Sequence, residues 1–214
     1  MRVVVTLSAS YGARGDKVGR AVAERLQLPF VDRAIPNTAA ARQLGLPEDE
    51  AESLDQPAPS RWERVAMRFA GVATPAGPDV LAADVPLTLS PEGFRAAAER
   101  ELRAVADTTG AVVLGRAGMV VLGGRPDVLC VRLDGPVEAR IAQVVALGVD
   151  EQSARHGQRD VDRARETYAQ AFFNARQDDP RLYHVILDST VLSVAACVDI
   201  IVRAARDRFG AVEP

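Results

Sequence analysis

Solid apolar runs alternate along this chain with segments whose apolar residues recur every three or four positions. Val3-Val4-Val5-Thr6-Leu7, Pro29-Phe30-Val31, Ala111-Val112-Val113-Leu114, Val128 to Leu133 and Val185-Ile186-Leu187 have the first pattern, that of strands buried on both faces. Val18, Ala21, Val22 and Leu26 mark a helix from Lys17 to Leu26. Further helical patterns lie around Thr38 to Leu44 and Ser60 to Phe69. Another starts at Pro91, capped by Ser90, and runs through Phe94 and Leu102 to about Ala106. Val137 to Leu147, a long polar stretch from Asp150 to Arg176, and Val194 to Arg206 complete the set. The stretch from Gly71 to Pro91, rich in Pro, Gly, Ala and Asp, reads as a loop or small cap. Strands of this kind separated by helices predict an α/β fold with a parallel sheet covered on both faces. In such sheets ligands bind beyond the carboxyl ends of the strands.

The first strand end carries the most chemistry. Ser8-Ala9-Ser10-Tyr11-Gly12-Ala13-Arg14-Gly15-Asp16 joins a strand to a helix, so backbone N–H groups and the positive end of a helix dipole converge there, which suits a phosphate. Lys17, beside this loop, is the only lysine of the chain. The same glycines also suit a plain strand–helix turn. The loop does not match the Walker pattern G-x-x-x-x-G-K-[ST]. With helix registers matched, Gly15 stands at the lysine position and Lys17 at the hydroxyl position, so the usual Mg²⁺ ligand is missing. Arg14 or Lys17 would then supply the positive charge. Asp32-Arg33, after the second strand, suits an acceptor site, Arg for a phosphate and Asp for a hydroxyl or amino group, and equally a solvated turn. At Gly115-Arg116, glycine lets the backbone approach a ligand and arginine offers a bidentate phosphate grip; a surface arginine at a helix start has the same look. Asp134 closes the fourth strand. On the long polar helix Arg155, Arg159, Asp160, Asp162, Arg163 and Arg165 read either as a wet face with pairs such as Asp162–Arg165 or as a lid closing over phosphates. His156 and His184 have no triad or metal arrangement and read as structural or exposed.

Composition narrows the classes. With 214 residues, 48% of them hydrophobic and 26% charged, the chain is one sizeable domain with a smaller appended segment. A net charge of −3 argues against nucleic-acid binding by bulk charge. Cys130 and Cys197 lie inside apolar runs, without metal or disulfide spacing, and read as reduced core residues. No signal-peptide pattern and no membrane-length run is present, so a cytoplasmic protein is expected.

In combination these segments resemble the cytidylate kinase-like family, relatives of bacterial CMP kinase among the P-loop nucleoside monophosphate kinases. Ser8 to Gly19 resembles that family's degenerate loop, S-x-x-Y-G-x-G-G-R-x-I-G, and Pro29-Phe30-Val31-Asp32-Arg33 is similar to P-F-Y-D-[KR]. Asp55 to Ser60 resembles D-E-x-P-x-S, and Val113 to Gly118 resembles V-x-G-R-x-A. Asp162 to Tyr168 resembles D-x-x-R-x-x-Y, and Leu182 to Ile201 is similar to the family's final strand and helix. The resemblance implies a three-layer P-loop fold over residues 1–214 with a five-stranded parallel sheet, a helical acceptor-binding insertion at 33–90 and a lid at 150–180. It implies phosphoryl transfer from ATP with Mg²⁺ to a nucleoside monophosphate, CMP or dCMP first. Ser8, Gly12, Ala13, Arg14, Gly15, Asp16 and Lys17 would form the donor-phosphate site, with Lys17, Arg159 and Arg165 catalytic. Asp32, Arg33 and Arg116 would face the acceptor; no metal ligand is assigned. The chain departs from the family at Arg14 and Asp16, which replace a Gly and an Arg, and at Ala117, where CMP kinases carry Asp. Those departures leave two alternatives open: a nucleotide-binding or regulatory protein with impaired catalysis, and a kinase of another small hydroxyl compound. The expected partner is a small-molecule nucleotide, not nucleic acid or membrane; no oligomeric state is specified.

Overall fold

Val4–Ala9 (β1) is the strand against which the rest of the sheet is laid. Its residues are buried as far as Ser8, because strands pair with it on both edges and helices cover both faces. The computed structural model describes residues 3–31, 91–108 and 110–210. Along the chain β1 is followed by α1 (Gly15–Leu26), β2 (Phe30–Val31), α2 (Pro91–Asp107), β3 (Ala111–Leu114) and the short α3 (Gly118–Val121). Then come β4 (Val128–Asp134), α4 (Val137–Val145), α5 (Glu151–Phe173), a 3-10 turn (Pro180–Leu182), β5 (Val185–Asp188) and α6 (Val194–Phe209). The expected elements near residues 38–44 and 60–69, the loop at 71–90, and Asp32 and Arg33 lie outside the described residues.

The five strands are all parallel, in the order β2-β3-β1-β4-β5. β1 runs in register with β3 from Val4↔Ala111 to Leu7↔Leu114, and with β4 from Val4↔Val128 to Ala9↔Leu133. Alternation of side chains along the pleat divides the core in two. Val3, Val5 and Leu7 face Val18, Val22 and Leu26 of α1 and Ile201, Val202 and Phe209 of α6. Val4, Val113 and Cys130 face Leu102 and Ala106 of α2, Met119 and Leu122, with Tyr168 and Phe173 of α5 packed against them. Both cysteines are buried and free, as expected.

Sequence and structure differ at the element ends. α1 starts two residues earlier than its apolar pattern indicates, because the chain turns into the helix at Arg14, in the left-handed conformation. α3 has four residues, too few to leave a periodicity. α6 extends to Phe209, whose ring belongs to the core.

One histidine completes the sheet. β5 begins at Val185, too late to pair with Cys130, and His184 fills the gap. Its ring Nδ1 accepts the Cys130 N–H at 2.9 Å while the His184 backbone N–H donates to the Cys130 carbonyl at 2.8 Å. Partial desolvation, then the charge of Arg208, hold its imidazole below the ordinary value of 6.5. The unfolded chain therefore takes up the proton more readily. Stability is complete above that ordinary value and is lost as pH falls from it through the lower folded value. The urea midpoint should drop between about pH 7.5 and about pH 5.5, and His184→Leu should flatten that part of the profile. An undiminished drop in the variant would assign the acid sensitivity to other groups.

Candidate functional site

The carboxyl ends of β3, β1 and β4 stand side by side, and the loop from Ser10 to Arg14 rises from the middle one. Gly12 and Arg14 are both left-handed, with φ of 77° and 57°. A Cβ at Gly12 would stand 2.4 Å from the carbonyl oxygen of Arg140, so only glycine fits against α4 there. Arg14 has no such exemption, and a left-handed non-glycine residue costs about 1–2 kcal/mol. Strain of this kind persists where the surroundings enforce it.

The turn at Arg14 leaves the first turn of α1 without a side-chain cap. α3 and α4 likewise have no side-chain cap, whereas in α5 and α6 Asp150 accepts the Ser153 N–H at 2.9 Å and Ser193 accepts the Ala196 N–H at 3.1 Å. At α1, initial N–H groups that a cap would satisfy are left to an outside acceptor. Lys17 lies exposed on this turn. Asp16, also exposed, pairs along the helix with Arg20 at 2.9 Å, which gives its carboxylate a cation of its own.

Other residues of the expected phosphate site have structural partners. Ser8 is buried inside β1, and its hydroxyl donates to the Met119 sulfur at 3.4 Å. Ala13 is buried; its carbonyl accepts the Ser189 hydroxyl at 2.9 Å, and its N–H donates to the Ser10 carbonyl at 3.0 Å. Gly15 is buried against Ala9, where a Cβ would stand 2.5 Å from the Ala9 Cβ.

Four charged residues outside the loop hold it. Arg132, the one charged residue within the apolar run of β4, donates to the Ser10 hydroxyl at 3.2 Å, to the Gln177 carbonyl at 2.7 Å and to Asp134 at 2.8 Å. Burial alone would raise the Asp134 carboxyl, but hydrogen bonds from Ser10 and Arg132 outweigh it and hold the group below the ordinary carboxylate value. Arg140 of α4, 4% exposed, donates to the Tyr11 carbonyl at 2.7 Å, the Gly135 carbonyl at 2.9 Å and Asp162 at 2.9 Å. Asp162 of α5 accepts the Tyr11 N–H at 2.7 Å. Arg165, three residues on, donates to the Ala9 carbonyl. Of the two arginines expected on this helix, Arg165 therefore reaches the loop, while Arg159 is exposed to solvent.

Arg116 sits beyond the neighbouring strand. Gly115, Arg116 and Ala117 are left-handed in succession, with φ of 80°, 56° and 52°, and the Gly115 N–H donates to the Leu7 carbonyl at 2.8 Å. The turn anchors a half-buried arginine beside the end of β1. Among the described residues, no group of three or more His, Cys, Asp or Glu side chains is placed to hold a metal ion. His156 makes only an exposed pair with Asp160, at 3.0 Å.

Sequence reasoning missed Arg132, Arg140 and the role of Asp162. An arginine inside an apolar strand was a readable signal for the first. Arg140 and Asp162 act through contacts made across long stretches of chain. Arg140→Met should remove about 3 kcal/mol of unfolding free energy, because Asp162 loses its buried partner and the Tyr11 carbonyl loses a charged donor. Urea denaturation gives the number; a loss below about 1 kcal/mol would remove Arg140 from this role.

A model of the cytidylate kinase-like family matches residues 4–191. No curated protein sequence matches the chain. Among solved structures, an uncharacterized protein from Eubacterium ventriosum is similar with a TM-score of 0.64 at 16% identity, covering 97% of this chain and 99% of that one. A shikimate kinase from Acinetobacter baumannii, in complex with shikimate, has a TM-score of 0.47 at 15% identity, covering 98% of this chain and 96% of that one. No helix among the described residues is long and apolar enough to cross a membrane. The chain belongs to the cytidylate kinase-like family.

Proposed function

We propose that this protein transfers a phosphoryl group from ATP to a nucleoside monophosphate, with CMP or dCMP the first candidate. The observation that carries the reading is the uncapped start of α1, reached from β1 through a left-handed Arg14, in a chain of this family. N–H groups there, with the helix dipole and the exposed Lys17 ammonium, suit the donor phosphates. The backbone of Gly12, Arg14, Gly15 and Asp16 would line this cradle. Arg116, on its left-handed strand end, would hold the acceptor phosphate, together with Asp32 and Arg33. Residues 33–90 would form the acceptor segment, and 150–180 a cover from which Arg159 adds charge. The chemistry asked of the protein is positioning and charge stabilisation. ATP would supply the phosphoryl group. Mg²⁺ would be held mainly by the ATP phosphates and water, since no cluster of three or more His, Cys, Asp or Glu side chains among the described residues offers it a protein site.

One observation favours a second reading, a nucleotide-binding protein without turnover. The Ser8 hydroxyl is buried on Met119 and that of Ser10 is engaged by Arg132, so neither serine at this strand end offers a free hydroxyl to a metal-bound phosphate.

Coupled ATP turnover against CMP, dCMP, UMP, AMP and GMP, with calorimetric ATP binding on the same sample, separates the two. Turnover with a pyrimidine monophosphate is the expected result; binding without turnover on any of them would replace it with the second reading or with another hydroxyl acceptor. Lys17→Ala should weaken ATP binding about tenfold, roughly the worth of one hydrogen bond to a charged group. Unchanged affinity would take Lys17 out of the site. Arg116→Ala should weaken monophosphate binding more than ATP binding, and an equal loss of both would contradict its assignment to the acceptor.

A further inference from the structure

The two backbone polar groups of Tyr11 are held by side chains from two different helices. Its N–H donates to Asp162 Oδ1 of α5 at 2.7 Å, and its carbonyl accepts Arg140 Nη1 of α4 at 2.7 Å. The same Arg140 nitrogen donates to Asp162 Oδ2 at 2.9 Å, which closes the ring of contacts; Gln158 Nε2 adds a bond to Oδ2 at 3.1 Å. On one side of this ring Arg165 grips the Ala9 carbonyl. On the other, the Tyr11 ring lies on α5 at Gly157, where a Cβ would stand 2.9 Å from the phenol oxygen.

A helix that swung away as a free lid would break all of these contacts together. It would strip the Tyr11 N–H of its acceptor and leave the Arg140 side chain, 5% exposed, with Asp134 at 3.5 Å as its remaining carboxylate. Buried charges resist separation of this kind. We infer that Asp162 is a positioning residue, which locks α5 to the phosphate loop so that the loop has its phosphate-binding shape before the nucleotide arrives. α5 moves with the loop, and any closing motion belongs to other parts of the chain. This inference rests on the phosphate-binding reading of the loop, while the lock itself is a separate and separately measurable property.

Two variants separate positioning from general stability. Asp162→Ala removes the acceptor of the Tyr11 N–H and the partner of Arg140. Asp162→Asn removes the charge offered to Arg140 but keeps an oxygen for the Tyr11 N–H. Both should lose stability to a similar degree in urea denaturation. ATP affinity, measured by calorimetry, should fall about tenfold in Asp162→Ala and stay within about threefold of the unaltered protein in Asp162→Asn. Hydrogen exchange at the Tyr11 amide should be fast in the alanine variant and slow in the other two proteins. Affinity falling equally in both variants, or unchanged in the alanine variant, would overturn the positioning role. If the unaltered protein binds no ATP, the functional reading fails, and the Tyr11 exchange rates alone still uphold or refute the lock.

Discussion

A guanidinium almost out of reach of water must have its hydrogen-bond donors met by the protein, and Arg140 meets that requirement in a way that fixes four parts of the fold. Its partners are the Tyr11 carbonyl in the loop, the Gly135 carbonyl after β4, and the carboxylates of Asp134 and Asp162. Satisfying one buried charge therefore sets where α4, α5 and the end of β4 stand relative to the loop. The backbone of Arg140 takes part as well, since its carbonyl oxygen occupies the space that any side chain at residue 12 would need. The loop conformation follows from these contacts. With Tyr11 and Gly12 held in place, Arg14 takes up its left-handed turn and α1 starts without a cap.

The strands were legible because a parallel sheet buried on both faces leaves continuous apolar runs, and each expected strand lies in the sheet or one residue from it. The positions of Lys17 and Arg116 beside strand ends could be read for the same reason. Ser8 was harder. A serine at the end of an apolar run looks like the start of a loop, but β1 continues through Ala9 and its hydroxyl faces Met119. Asp16 departs from the family pattern within the expected phosphate site, and its four-residue spacing to Arg20 already indicated the cation it pairs with. Asp162 was legible as a member of an i, i+3 pair with Arg165, but their nearest atoms are 3.9 Å apart. The stronger partners of both lie in the loop and at the end of β1, some 150 residues earlier. Spacing along one helix does not report bonds of that range.

These contacts also set the charge around the loop. Asp134 is matched by Arg132, Asp162 by Arg140 and Asp16 by Arg20, so these three carboxylates each carry a cation. That pairing lowers the repulsion a polyphosphate would otherwise meet in a protein of net charge −3. The proposed phosphate site consists of the first turn of α1, the Lys17 ammonium and, at the neighbouring strand end, Arg116. A site assembled this way would bind through geometry and local field, as the proposed phosphoryl transfer asks of a protein.

The most direct test of the account is an amide-resolved ¹⁵N NMR titration of the protein with ATP. The account predicts that the largest shifts fall on Gly12, Arg14, Gly15, Asp16 and Lys17, with the Tyr11 amide, already bonded to Asp162, moving less than these. Shifts spread over other strand ends, with the first turn of α1 unmoved, would contradict the central claim that this loop is the phosphate site.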